Sequence, residues 1–319
     1  MTETYIISDY MKPSVQKVKY LLEASSKQHY FNSFLPLRRQ WTNFFDSELV
    51  KDIVQRKQSD TYKNYAYDYV TFDNEWYGGK GYVADKREVE NWNFFSDEGW
   101  ESVNPKDFTE DWYGSLGEIM DLCEKEGIEL TFVVSPMSDF LLSALGNYDD
   151  YIETIREIAD QRGIEYYDFN LCKEDYFPVK SEWYKDPGHL NCYGAEAFSQ
   201  LFADFVNGKI PEDELFYESY EEKVKNQQPA VFGVCYSEKG EGGEKTRECK
   251  IVSNCSDKLE YKIELYPDGE EPYVVQDFSD NSKFTLKADE EGSCRISYRL
   301  NGSGDDVRMV NVDYKKDKK

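Results

Sequence analysis

The sequence predicts an α/β fold followed by an antiparallel β-sandwich, and three observations predict it. Between residues 109 and 208, helical repeats of apolar residues alternate with short apolar runs, and glycines close the helices. Past about residue 228 the apolar period drops to two. Between the two regimes lies an acidic stretch, PEDELFYESYEE. Residues 1–212 are therefore expected to form an α/β domain with a parallel sheet and flanking helices, 213–227 a linker, and 228–319 a β-sandwich accessory domain.

Each element follows from its local pattern. Ser14 can cap a helix that carries Val15, Val18, Leu21 and Leu22. Residues 58–112 are irregular, acidic and thick with aromatics, as in TYKNYAYDYVTFDNEWYGGKGYV; they read as an insertion with its own small core or as platforms that stack on sugar rings. Residues 109–126 place Trp112, Leu116, Ile119, Met120 and Cys123 on one helical face, and Gly127 ends it. The near-continuous apolar run IELTFVVSP, 128–136, predicts a buried parallel strand closed by Pro136. A helix over Tyr148–Arg162 turns Ile152, Ile155, Ile158 and Ala159 inward and stops at Gly163. IEYYDF, 164–169, is the next strand, and these two strands should be parallel neighbours. The last helix starts at about Tyr193, buries Ala195, Phe198, Leu201, Phe202 and Phe205, and ends at Gly208.

After the linker, Leu259, Tyr261, Ile263 and Leu265 alternate with charged neighbours, as do Cys294, Ile296, Tyr298 and Leu300. Pro267-Asp268-Gly269 and Asn301-Gly302 supply turns. This sandwich is expected to fold separately and to give nothing to chemistry in the first domain. The terminal KKDKK reads as solvated charge.

Composition narrows the function. Acidic residues number 63 against 38 basic, a formal charge of −25, which repels nucleic acid and anionic membrane surfaces. No apolar run approaches the roughly 20 residues needed to span a bilayer, and Met1–Asp9 is too short and acidic for a signal peptide. Seven cysteines contain no CxxC pair, and with two histidines a zinc site is not expected. Four cysteines fall after residue 230; they admit one or two disulfides, in any of three pairings, or buried thiols.

The chemistry concentrates in KDPGHLNCYGAEAFSQLF, residues 185–202. Imidazole is suited to take a serine proton near neutral pH, and a carboxylate on its other nitrogen orients it. His189 is the candidate base and Asp186 its partner across a short turn. A plainer alternative is a surface turn in which Asp186 caps backbone amides. Asn191 caps the following helix and stands beside the pocket as a substrate-binding candidate.

The block DPGHLNCYGAEAFSQLFADFV resembles the last sequence block of SGNH (GDSL-type) hydrolases, and in particular their bacterial cell-envelope branch, relatives of the D-alanine transfer and alginate acetylation proteins. IELTFVVSP and EYYDFN are similar to strands of that branch, so the resemblance covers roughly residues 5–208. It implies a flavodoxin-like parallel sheet and acyl-ester hydrolysis or O-acyl transfer on cell-envelope polysaccharide. It implies Asp186 and His189 as triad members, no metal or organic cofactor, an extracytoplasmic setting and a membrane acyltransferase as a further partner. It also implies a Gly-Asp-Ser block, which this sequence lacks. Ser8 in YIISDY is the nearest substitute, although no glycine precedes it. Ser135, before Pro136, falls on the pocket lip as a substrate-binding candidate. The sequence thus reads as an amino-terminally incomplete member of that group, inactive as it stands. The alternative is a non-catalytic carbohydrate-binding or scaffold protein with a degenerate fold.

Overall fold

The computed structural model describes residues 11, 14–24, 34, 45–59, 74–79, 82–89, 92–97, 110–240, 245–303 and 306–315. The chain forms two compact units, Met1–Val83 and Ala84–Lys319. In the first, helix α1 (Val15–Ala24) is capped as expected, with Lys17 N donating to Ser14 Oγ at 3.1 Å. Of its expected inward face only Leu21 is buried. Helix α2 spans Ser47–Gln58, and its first amides donate to Asp46 Oδ1. Strand β1 (Glu75–Gly79) follows, and strand β2 (Tyr82–Asp85) begins where this unit ends. Ser8 and most of the 58–112 stretch lie outside the described residues.

The second unit is mixed α/β. In chain order it holds β3 (Phe94–Ser96), α3 (Glu110–Glu126), β4 (Thr131–Val134), α4 (Asp139–Leu145), α5 (Tyr148–Arg162) and β5 (Glu165–Asp168). Strands β4 and β5 pair in parallel, Thr131 opposite Glu165 through Val134 opposite Asp168, as the strand–helix–strand pattern requires. Gly127 and Gly163 stop α3 and α5 in the left-handed conformation, at φ 65° and 64°. Among the described residues this parallel sheet has two strands. Strand β4 is therefore less buried than its apolar run suggests, and Val133 is exposed.

Strands β6 (Tyr184–Asp186) and β7 (His189–Leu190) form a tight hairpin that leads into α6 (Cys192–Val206). Helix α6 lays Leu201 and Phe205 on Phe169 and Phe177, the aromatic core that its amphipathic pattern predicts. Helices α7 (Glu212–Leu215) and α8 (Tyr220–Asn226) occupy the expected linker. They do not hang free. Leu215 is wholly buried, a burial that contributes about 1.5–3 kcal/mol. Lys223 is also buried, against Asp139 of α4.

The C-terminal strands are β8 (Val231–Lys239), β9 (Thr246–Ser253), β10 (Leu259–Pro267), β11 (Tyr273–Ser279), β12 (Lys283–Lys287), β13 (Gly292–Leu300) and β14 (Arg308–Asp313). They build an antiparallel sheet, β11-β10-β13-β14, and a mixed sheet, β12-β9-β8-β3. Both sheets contribute to one apolar cluster that joins Phe94, Val234 and Ile251 to Tyr261, Ile263 and Ile296. The strict alternation of burial along β10 is the period-two signal made physical.

One expectation needs correction here. The C-terminal region is not free-standing, because β3, from the expected aromatic insertion, pairs in parallel with β8, Phe94 opposite Val234. Phe140 of α4 also packs on Cys235 and Val252, so the region shares a core with the preceding elements. Of the two readings left open for the cysteines, the structure shows thiols. All seven cysteines are free, four of them buried.

Candidate active site

Asp186 and His189 meet. Asp186 closes the turn by accepting from Gly188 N at 2.9 Å, and His189 Nδ1 lies 2.8 and 3.0 Å from its two carboxylate oxygens. An ionised carboxylate only accepts, so Nδ1 carries the proton and Nε2 keeps its lone pair. The imidazole is 71% exposed and the carboxylate 37%, so Nε2 faces outward. Among the described residues the ring's hydrogen bonds go to Asp186 alone.

The hairpin is fastened to the carboxyl ends of β4 and β5, where open α/β sheets place their sites. Pro187 O accepts from Ser138 N at 2.9 Å, in the loop beyond β4. The buried Tyr184 hydroxyl donates to Met137 O at 3.3 Å, and Met137 N donates to Asn170 Oδ1 at 2.7 Å. Gly194 is required at the start of α6, since a Cβ there would stand 2.2 Å from Trp183 O. The Trp183 backbone, which also accepts from Asn191 N at 2.9 Å, and the first turn of α6 therefore pack closely and form the floor of the site.

Beneath that floor lies a polar network. Asp168, at the end of β5, accepts from Asn170 N and from the hydroxyls of Tyr148 (2.7 Å) and Tyr166 (3.1 Å). Burial still raises its carboxyl above the ordinary range, and burial beside Asp168 raises both phenols. Lys223 Nζ donates to Asn170 O at 2.9 Å and stands 3.2 Å from Asp139 Oδ1. Sequence reasoning missed this network. Its one legible sign is an aspartate that ends a strand of otherwise core character.

The other expected residues separate in role. Asn191 is 1% exposed, and its side chain is fully engaged. Its Oδ1 accepts from Tyr193 N and Gly194 N as the helix cap, while Nδ2 donates to Arg87 O and Glu182 O. It holds the site rather than facing a ligand. Ser135 is exposed immediately after β4, and among the described residues no hydrogen bond links it to His189. Ser138 is buried with its hydroxyl committed to the α4 cap, accepting from Leu141 N. Nor do nearby thiols replace a serine. Burial raises Cys192, and Cys172 is pushed up to about 12 by burial, which disfavours the thiolate.

The chain matches no family model, no curated protein and no solved structure. The site therefore stands on its geometry. That geometry supplies an oriented imidazole with one outward nitrogen able to accept a proton. Among the described residues it supplies no hydroxyl to donate one.

Proposed function

We propose that this protein carries the base half of an SGNH-type acyl-ester hydrolase or O-acyltransferase that acts on cell-envelope polysaccharide. The observation that supports it is the Asp186–His189 pair, with Nδ1 held by the carboxylate and Nε2 open at the carboxyl end of a parallel strand. In this reading a serine hydroxyl from outside the described residues attacks the ester carbonyl, and His189 Nε2 takes its proton. The imidazolium returns that proton to the leaving alcohol oxygen as the tetrahedral intermediate collapses to an acyl-serine. Water or a sugar hydroxyl then takes the acyl group, again with His189 as base. Asp186 keeps the tautomer fixed. The C-terminal sheets form a sandwich that supports this domain.

A second reading is a non-catalytic carbohydrate-binding or scaffold protein on a degenerate fold. It is favoured by the Asp186–Gly188 bond, which gives Asp186 a turn-closing role of its own.

Hydrolysis of p-nitrophenyl acetate tests the choice. The chain as given should stay at background, because an absent oxyanion-hole donor alone forgoes about 100- to 1,000-fold. Supplying a Gly-Asp-Ser strand should bring turnover that His189→Ala abolishes and Asp186→Asn strongly reduces. Turnover by the chain alone that Ser8→Ala removes would show that Ser8 is the nucleophile. Turnover that survives His189→Ala would refute the dyad.

A further inference from the structure

We propose that Asn170 is a positioning residue for the Asp186–His189 pair: its side-chain amide, turned by Asp168 and Tyr148, clamps the loop on which the dyad hairpin is seated. Asn170 lies just beyond β5 and is 1% exposed. Its backbone N donates to Asp168 Oδ1 and its O accepts from Lys223 Nζ, each at 2.9 Å. Its side chain bridges the Tyr148 hydroxyl, at 2.6 Å, and Met137 N, at 2.7 Å. Met137 and Ser138, in the loop beyond β4, carry that hold onward. Met137 O accepts from the Tyr184 hydroxyl of β6 at 3.3 Å, and Ser138 N donates at 2.9 Å to Pro187 O, next to Asp186. Gly188 rests in the same seat, since a Cβ there would stand 3.2 Å from Leu141 Cδ2 of α4.

The direction of each bond fixes which way the amide faces. Tyr148 gives its one hydrogen to Asp168 Oδ2 at 2.7 Å, so its oxygen can only accept, and the amide atom facing it must be Nδ2. Met137 N–H can only donate, so the amide atom facing it must be Oδ1. The two requirements agree. Asp168, Tyr148, Asn170 and Met137 therefore form one chain of bonds with a single polarity, which reaches the hairpin through Ser138. Turning or removing the amide displaces the seat of the base as well as loosening the core. The catalytic meaning of that seat rests on the proposed reaction; the hold on the hairpin rests on these distances alone.

Amide hydrogen exchange and nuclear Overhauser contacts, measured by NMR on the full chain, test this. Asn170→Ala leaves buried polar partners unpaired and should speed exchange at Met137 and Ser138 by about 10- to 100-fold. It should also weaken the Gly188–Leu141 contact, while the amides of β10 and β13 keep their rates. Tyr148→Phe, which deletes one hydroxyl and keeps the ring, should act in the same direction. Asn170→Asp sets two carboxylates against one tyrosine hydrogen, and Asp168→Asn gives Tyr148 two donors and no acceptor, so each should release the loop. Asp168→Asn combined with Asn170→Asp reverses the polarity of the whole chain and should return the Ser138 rate to within about 3-fold of the wild type. A residue that only filled space would show no such rescue. The His189 tautomer should be the same in every variant, because Asp186 and His189 meet within the hairpin. A wild-type ring protonated on Nε2 would thus count against the dyad, whereas the Ser138 rate judges Asn170. The proposal is overturned by a Ser138 rate in Asn170→Ala within about 2-fold of the wild type, or by acceleration shared equally with β10 and β13. A double variant no better protected than its parents would overturn it too. If Asn170→Ala does not fold, Tyr148→Phe and the double variant decide the matter.

Discussion

Lys223→Met should cost this protein several kcal/mol, far more than removal of a surface lysine. Lys223 is 4% exposed and Asp139 13%, with Nζ 3.2 Å from Oδ1. At that separation, and an effective dielectric of about 20, the attraction is roughly 5 kcal/mol, before the desolvation of both ions is set against it. Methionine fills the aliphatic volume but removes the charge. It leaves Asp139 with Gln227 at 3.4 Å, and it strips Asn170 O of its charged donor. Removing one partner of such a pair typically costs about 3–5 kcal/mol. For a body of this size that lowers the melting temperature by about 6–20 °C. Urea unfolding of Lys223→Met, Asp139→Leu and the double variant measures the coupling. The double variant should lie closer to the wild type than either single variant, since it buries no orphaned charge. Single variants within about 1 kcal/mol of the wild type, or a double variant as unstable as the sum of the two, would refute the claim that α8 is locked into the site's floor.

Two further outcomes follow from the same geometry. Gly194→Ala should destabilise by roughly 1–3 kcal/mol despite alanine's helix propensity, because the new Cβ meets Trp183 O at 2.2 Å and α6 must shift; urea unfolding checks this. Asp85 is held below the ordinary carboxylate range chiefly by its side-chain hydrogen bonds from Arg87. Its folded value is depressed, so its contribution is present above about pH 4 and is lost as the pH falls through that folded value. The stability gap between wild type and Arg87→Ala should therefore shrink on acidification, as measured by denaturant unfolding across pH. A gap that widens would contradict the assignment.

Much of the fold could be read from local chemistry. Helix α5 runs over the expected Tyr148–Arg162, and β4 and β5 lie inside the two apolar runs with the expected parallel pairing. The dyad was legible for the same reason, since a three-residue spacing across a proline–glycine turn brings both side chains together without help from elsewhere. Long-range contacts were not legible. Nothing local ties Phe94 to Val234, yet that pairing draws a strand of the aromatic stretch into the C-terminal sheet. Helices α7 and α8 were hidden by their own surface, because the acidic residues around Leu215 and Lys223 made a packed segment look like a linker. Asn191 illustrates the limit at the site itself. Its position beside the dyad suggested a substrate contact, whereas all of its hydrogen-bonding capacity is spent on the helix cap and on Arg87 O and Glu182 O.

Asp186 fixes His189 as a proton acceptor at Nε2, and the imidazole tautomer reports this directly. The chain holds two histidines, His29 and His189, so nitrogen-15 correlation spectra of the ring systems can be assigned with a single His29→Gln variant. At about pH 8.5 His189 should carry its proton on Nδ1, and Asp186→Asn should abolish this preference. A His189 ring protonated on Nε2, or one whose tautomer ignores Asp186→Asn, would show that Asp186 does not orient the imidazole.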